Sequence, residues 1–206
     1  DLYEGIDIGP EGAVGLITYM RTDSTRVAES AATQARDYLR TLFGADYLAK
    51  GAQLYGDTKA KNTQDAHESV RPTDPTRRPD DIRKFLSPDQ FKLYQLIWQR
   101  FMGSQMAPAV FDTTTVDFDI AAREQPNIGR RSYLFRSTGS IIKFLGFLAL
   151  YREAREEGDS KALEDEQALP VAEVGEPGPV HAITPSQHST EPPPRFSEAT
   201  LVQELE

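Results

Sequence analysis

The sequence contains no cysteine and only three histidines among its 206 residues. Without cysteine the chain can form neither a disulfide scaffold nor a thiolate zinc site, and it has no cysteine nucleophile. His67, His181 and His188 lie far apart, so a histidine-rich metal cage is not expected. No apolar run approaches the ~20 residues of a membrane-spanning helix, and we expect no membrane segment.

The chain also lacks an initiator methionine and the basic N-terminal region of a signal peptide. It begins with DLYEG and ends within a helical pattern, LVQELE, so we expect it to be part of a longer protein. With 38% hydrophobic and 27% charged residues it can bury a core, and its length suits one large domain or two small ones.

Charge is distributed unevenly along the chain. The net charge of −9 argues against a nucleic-acid partner at first sight. Most of the excess acid, however, lies between Glu153 and Glu176, in a stretch that also contains glycine and proline. This composition favours a solvated insertion. With that insertion set aside the chain is close to neutral, and local basic clusters can still contact phosphates.

The periodicity of apolar residues predicts an α+β protein with three parts. A helical part covers residues 1–107, a β-rich part covers 108–190 with the acidic insertion at about 153–178, and a helical segment begins in 191–206. Helices are expected over about 25–43, over 80–86, from the Ser87-Pro88 cap toward Pro108, and after Ser197; a short turn of helix is expected at 64–70. Strands are expected over 14–18, 111–120, 132–151 and 180–184.

The segment GLITYMRTDSTR, residues 15–26, has the most distinctive chemistry. Residues two apart in an extended segment face the same way, so Tyr19 and Arg21 are expected to share one space, near the N-terminus of the following helix. A phenol, a guanidinium and a helix N-terminus together suit a phosphate. Free tyrosine has a pKa of about 10, so a nucleophilic tyrosine needs positive charge or a metal nearby. The plainer alternative is a strand-end tyrosine with a surface arginine.

Two further segments carry candidate phosphate contacts. In QDAHESVRPT, residues 64–73, His67 and Arg71 are four apart, so one helical turn would place them on the same face. The alternative is a solvated histidine with an arginine paired to Glu68 or Asp74. In PPPRFSEATLVQELE, Arg195 lies between a rigid proline run and a capped helix.

These strings, in this order, resemble the bacterial type IA DNA topoisomerases. ITYMRTDS at 17–24 is similar to the family's active-site signature, and DAHESVRPT at 65–73 is similar to its DAHEAIRPT element. YQLIWQRFMGSQMAPA at 94–109 and PPPRFSEATLVQELE at 192–206 also match. The methionine between the tyrosine and the arginine fits the topoisomerase I branch, because topoisomerase III usually has proline there.

The resemblance implies a fold and a reaction. The fold would be a helical, catabolite-activator-like domain that bears the tyrosine, joined to part of a β-rich arch. Tyr19 would cleave one DNA strand and keep a 5′-phosphotyrosyl link, and strand passage and religation would relax negative supercoils without ATP. Arg21 would hold the scissile phosphate and His67 would contact the same region. Further DNA contacts would come from Ser24, Thr25, Arg71 and Arg195, with Arg71 either supporting His67 or touching DNA.

The resemblance also implies what this chain does not hold. The family's Mg²⁺ site lies in a Toprim domain whose acidic pattern is absent here, so no metal ligand is expected in these residues. We therefore expect the 206 residues alone to be inactive. The implied partner is single-stranded or negatively supercoiled DNA, in the cytoplasm at the nucleoid, and an exposed arch edge would allow self-association.

The sequence is also compatible with two other functions. A tyrosine recombinase or type IB topoisomerase also combines tyrosine, arginine and histidine, but it places the tyrosine after them, whereas Tyr19 comes first. Alternatively, the chain is a non-catalytic DNA-binding or hinge module.

Overall fold

The computed structural model describes residues 1–21, 24–56, 68–121, 132–153, 169–170, 172–190 and 192–205. Contacts divide the chain into two units, Asp1–Pro170 and Val171–Glu206. The helices are α1 (Glu29–Phe43), α2 (Pro79–Ile82), α3 (Pro88–Ser104), α4 (Leu148–Glu153) and α5 (Glu198–Leu205). The strands are β1 (Ile6–Asp7), β2 (Ala13–Val14), β3 (Val110–Ala121) and β4 (Ser132–Phe144). The predicted α+β class is confirmed.

Helix α3 is the centre of the first unit and begins where the sequence predicts. The Ser87 hydroxyl accepts the Gln90 backbone N–H, and the Gln90 side chain accepts the Ser87 N–H, which makes a complete capping box. Helices α1, α2 and α4 all contact α3. Its buried face carries Tyr94, Trp98, Phe101 and Met102. These four side chains belong to the hydrophobic core of the unit.

Two of those core residues also anchor the loop before α2. The Trp98 indole N–H donates to the Pro75 carbonyl at 2.9 Å, and the Tyr94 hydroxyl donates to the Arg77 carbonyl at 2.8 Å. Burial raises the pKa of Tyr94 above the usual tyrosine range, so this hydroxyl stays protonated and remains a donor. The loop is thereby fixed to the helical core.

Helix α1 begins later than the sequence predicts. The sequence predicts a start near residue 25, but the first helical residue is Glu29 and the N-cap is Ala28. The cause lies in the neighbouring segments: the Arg26 carbonyl accepts the Ser69 N–H at 2.8 Å, and the Val27 N–H donates to Leu54 at 2.7 Å. These bonds engage residues 26–27 with remote segments, outside the helix. The predicted end is confirmed, with Gly44 at φ 91° after the last turn.

Strands β3 and β4 form a long antiparallel ribbon with two different faces. One face is polar: Asp117 and Arg136 form two hydrogen bonds of 2.7 and 2.9 Å, and threonine and serine hydroxyls pair along it. Phe118 lies opposite Phe135 on the other face, and each is about half exposed. Gly139 pairs regularly with Thr114, and the irregularity in the strand register lies at Val110/Phe111.

The chain leaves the ribbon by a turn and not by a longer strand. The prediction of strand through residue 151 is wrong for 148–151, which belong to α4. Gly146 adopts φ 51°, and a Cβ there would lie 2.5 Å from the Ala107 and Pro108 carbonyl oxygens. This turn brings the buried Leu150 into the helical core.

The described residues of the second unit contain one helix, α5. The Ser197 hydroxyl accepts the Thr200 backbone N–H at 3.2 Å, which confirms the predicted start of α5. The strand predicted at 180–184 is not formed: these residues are exposed and have no strand pairing. Most of the acidic insertion, residues 154–168, lies outside the described residues. Within the described ranges, no helix combines the length and apolar character needed to span a bilayer.

Candidate active site

The segment that leads to Tyr19 is held between two neighbours. On one side the Leu16 N–H donates to the Leu2 carbonyl at 2.7 Å. On the other side Ile17 pairs with Pro72 in an antiparallel bridge, and the Thr73 N–H donates to the Leu16 carbonyl at 3.0 Å. Leu16 and Ile17 are buried in the core. Tyr19 thus follows directly on a well-anchored stretch of chain.

Tyr19 itself is on the surface. Its side chain is 55% exposed, and its ring packs edge-on against the ring of Tyr3, with centroids 5.2 Å apart. An exposed phenol at the end of an anchored strand can be reached by a polymer substrate. Arg21, two residues later in the same non-helical stretch, is also exposed. The structure therefore presents both side chains at the surface.

The residues after Arg21 do not form the expected helix N-terminus. Residues 22–23 lie outside the described residues, and the Ser24 hydroxyl accepts the Arg26 backbone N–H at 3.2 Å. Thr25 is exposed. Helix α1 begins only at Glu29, ten residues after Tyr19. The prediction that its N-terminus lies near Tyr19 and Arg21 rested on a start near residue 25, which the structure does not show.

The second motif lies alongside the first, although 51 residues separate them. The Thr18 hydroxyl donates to the Ser69 carbonyl at 2.9 Å and accepts the Arg71 backbone N–H at 3.0 Å. The Thr18 N–H donates to the Arg71 carbonyl at 2.9 Å. The predicted helical turn at 64–70 is not present at 68–70, which have no regular secondary structure. Residues 64–67, including His67, lie outside the described residues.

Arg71 is engaged within the chain. Its Nε and Nη2 atoms contact Glu68 Oε2 at 2.8 and 2.7 Å, and Nη1 donates to the Pro72 carbonyl at 3.1 Å. Only 14% of the Arg71 side chain is exposed. Of the two roles considered for Arg71, these contacts favour support of the motif over direct contact with DNA.

Other basic residues near the motif are also paired. The Arg77 guanidinium contacts Glu11 at 2.8 Å and Asp74 at 3.8 Å, and only 13% of it is exposed. Arg26 differs, because its Nε is buried and has no hydrogen-bond partner among the described residues. Arg195 is exposed and precedes α5 in the second unit.

Sequence reasoning missed one member of this site, Thr18. A threonine within an apolar run is ordinary in a strand, so nothing local indicates that its hydroxyl bonds to a remote segment. The pairing of Arg71 with Glu68, which the sequence offered as an alternative to a phosphate contact, is observed. Among the described residues there is no group of three or more histidine, aspartate or glutamate side chains that could hold a metal ion. The described donors therefore do not fit a Mg²⁺ site.

Comparison with known proteins identifies the family. Residues 1–206 match the sequence model of the DNA topoisomerase family. The chain belongs to the bacterial type IA DNA topoisomerases. Full-length topoisomerase I from Thermotoga maritima has a similar structure, with 31% identity and a TM-score of 0.66. The match covers 99% of this chain and 29% of that one, so the chain spans under a third of that topoisomerase.

The two segments that resemble the family's motifs are hydrogen-bonded to each other in this structure. The family's tyrosine signature and its DAHEAIRPT-like element are the segments that Thr18, Ser69 and Arg71 join. The two positions where this topoisomerase departs from the usual Ala-Ile are Ser69 and Val70. Ser69 takes part through its backbone, and Val70 packs against the core, so neither change disturbs the link.

Proposed function

We propose that this chain carries the strand-cleaving tyrosine of a type IA topoisomerase that relaxes negative supercoils without ATP. The observation that supports this proposal is the exposure of Tyr19 at the end of a segment bonded to the second family motif. The partner in this proposal is single-stranded or negatively supercoiled DNA at the nucleoid, in the cytoplasm.

The proposed reaction is a transesterification. The Tyr19 hydroxyl oxygen attacks the scissile phosphorus, and the bond from phosphorus to the 3′ oxygen breaks. The phenolic proton is lost and the departing 3′ oxygen gains a proton, which leaves a 5′-phosphotyrosyl link and a free 3′-hydroxyl. The reverse attack by that hydroxyl reseals the strand. One phosphodiester is exchanged for another, so no nucleotide hydrolysis is needed.

Charge stabilisation in this proposal falls to cationic side chains. Arg21 binds the non-bridging oxygens of the scissile phosphate, because a guanidinium can donate two parallel hydrogen bonds to them. His67 contacts the same phosphate. Ser24 and Thr25 contact the DNA strand that leads to Tyr19. Arg195 contacts DNA from the second unit. Arg71 supports the motif through its ion pair with Glu68. Mg²⁺ is proposed only as a requirement of the whole enzyme.

End labelling of a trapped covalent complex tests the chemistry. The full-length protein is incubated with a single-stranded oligonucleotide and denatured rapidly. A label on the 3′ end, which lies downstream of the break, should remain with the protein, because a 5′ phosphate is linked. Retention of a 5′-end label instead would indicate a 3′-phosphotyrosyl link, as in tyrosine recombinases and type IB enzymes, and would refute the proposal.

The isolated 206 residues are proposed to be inactive. They supply the tyrosine and its neighbours, but their described residues contain no acidic metal-binding cluster. Relaxation of a negatively supercoiled plasmid by this chain alone would contradict this part of the proposal. DNA binding without relaxation would agree with it, and that binding should weaken steeply as salt increases.

Self-association is a further part of the proposal. Among the described residues, β3 and β4 pair only with each other, so each leaves an outer edge open. We expect a dimer of the isolated chain at high concentration, measured by light scattering, and a monomer at all concentrations would contradict this.

A further inference from the structure

Ser69 connects the two ends of the loop that bears Tyr19. This loop, residues 19–25, is called the tyrosine loop below. Before it, the Thr18 hydroxyl donates to the Ser69 carbonyl at 2.9 Å; after it, the Arg26 carbonyl accepts the Ser69 N–H at 2.8 Å. One remote residue thus bonds to the chain on both sides of the loop.

The Thr18 hydroxyl has a second bond in the same place. It accepts the Arg71 backbone N–H at 3.0 Å, so a single side-chain oxygen bridges the Ser69 carbonyl and the Arg71 amide. Thr18, Ser69 and Arg71 are all half-buried. An unsatisfied amide or carbonyl in such a place is unfavourable, so the geometry of this bridge is strongly preferred.

The partner segment is itself rigid. The Arg71 guanidinium is held by Glu68 and by the Pro72 carbonyl, and Thr73 is bonded on both its backbone and side chain to residues 15–16. The Thr18 hydroxyl therefore joins the start of the tyrosine loop to a segment that is itself held by several hydrogen bonds.

We propose that Thr18 is a positioning residue for strand cleavage: its hydroxyl fixes the Tyr19 backbone against the segment 68–73. This inference rests on the proposed function of Tyr19. Thr18 does not touch DNA in this proposal. It acts by holding the nucleophile in the orientation for in-line attack, and small displacements of a reacting group can reduce a rate by about 100-fold.

The test compares three variants of the full-length protein. Thr18→Val keeps the branched shape but removes the hydroxyl, and Thr18→Ser restores the hydroxyl. Ser69→Ala is the matched control, because only the backbone of Ser69 takes part in the bridge. Single-turnover cleavage of an end-labelled oligonucleotide gives the rate constant and the amplitude, and fluorescence anisotropy gives the Kd for the same oligonucleotide.

Thr18→Val should lower the cleavage rate constant at least tenfold while the Kd changes less than threefold. Thr18→Ser should recover most of the rate, and Ser69→Ala should cleave like the wild type. A purely structural role would reduce the amplitude, through a smaller folded fraction, and leave the rate constant unchanged. Wild-type cleavage by Thr18→Val, or a loss of amplitude alone, would overturn the inference.

A fourth variant separates this inference from the proposed function. Tyr19→Phe should abolish cleavage; if it still cleaves, the function assigned to Tyr19 is wrong. If Tyr19→Phe is inactive and Thr18→Val has the wild-type rate, only the positioning role is wrong. If Thr18→Val does not fold, Glu68→Gln is used instead, because it loosens the segment that Thr18 bonds to. A lower cleavage rate constant in Glu68→Gln would support the positioning role, and a loss of amplitude alone would overturn it.

Discussion

The Thr18 hydroxyl donates to the Ser69 carbonyl at 2.9 Å and so joins two motifs that are 51 residues apart. This bond lies beside the exposed tyrosine and within a short antiparallel ladder formed by residues 15–18 and 69–73. The motif segments are thus parts of one small structural unit, and changes in one should affect the other.

The first prediction concerns the ring of Tyr3, which packs edge-on against the ring of Tyr19. Such a pair contributes about 0.5–1.5 kcal/mol beyond the area it buries. Tyr3→Ala in the full-length protein should therefore lower the yield of covalent complex by roughly two- to tenfold, because the Tyr19 ring loses its neighbour. Tyr3→Phe keeps the ring and should behave like the wild type. Equal yields for all three proteins would contradict this role.

The second prediction concerns the ion pair between Glu68 and Arg71. Both side chains are less than a third exposed, so Glu68→Gln should destabilise the chain by about 1–3 kcal/mol. The matched control is Asp37→Asn, which breaks the exposed Asp37–Arg40 pair on α1 and should cost less than about 0.5 kcal/mol. Urea unfolding gives the loss of stability for each variant. Similar losses for the two variants would show that the less exposed Glu68–Arg71 pair contributes no more than the exposed Asp37–Arg40 pair.

The third prediction concerns the core at α3. Trp98→Ala should destabilise the chain by about 3–5 kcal/mol, because it removes a buried indole and leaves a cavity. Trp98→Phe fills much of that space but leaves the Pro75 carbonyl without its donor. Its cost should be smaller, about 1–3 kcal/mol. Leu96→Ala on the exposed side of α3 is the control, and chemical denaturation should show little change for it.

The fourth prediction concerns pH and the polar face of the ribbon. The hydrogen bonds from Arg136 lower the pKa of Asp117 below its usual value. A carboxylate with a lowered folded-state pKa stabilises the fold above its unfolded-state pKa of about 3.9, and that contribution is lost as pH falls through the folded-state pKa. Carboxyl NMR should therefore give Asp117 a midpoint below about 3.9. Arg136→Gln should raise that midpoint; an unchanged midpoint would show that Arg136 is not the cause.

The sequence predicted best those features that depend on neighbouring residues. The Ser87 capping box needs only residues 87–90, and its helix began as predicted. The predicted start of α5 likewise needs only Ser197 and the residues next to it. The tyrosine motif was recognisable because its residues are contiguous.

The features that the sequence could not predict depend on distant residues. Helix α1 starts late because Arg26 and Val27 bond to segments that are 27 or more residues away. Leu148–Tyr151 continues an apolar run that suits strand or helix equally, and the turn at Gly146 decides in favour of helix. The role of Thr18 likewise depends on a segment whose position follows from tertiary structure alone.

The identity of the residue that becomes linked to DNA tests the central claim most directly. The covalent complex of the full-length protein is trapped, digested with a protease and a nuclease, and analysed by mass spectrometry. The account predicts a nucleotide attached to the peptide that contains Tyr19, and no adduct in Tyr19→Phe. An adduct on Tyr3 or on any other residue, or one that persists in Tyr19→Phe, would contradict it.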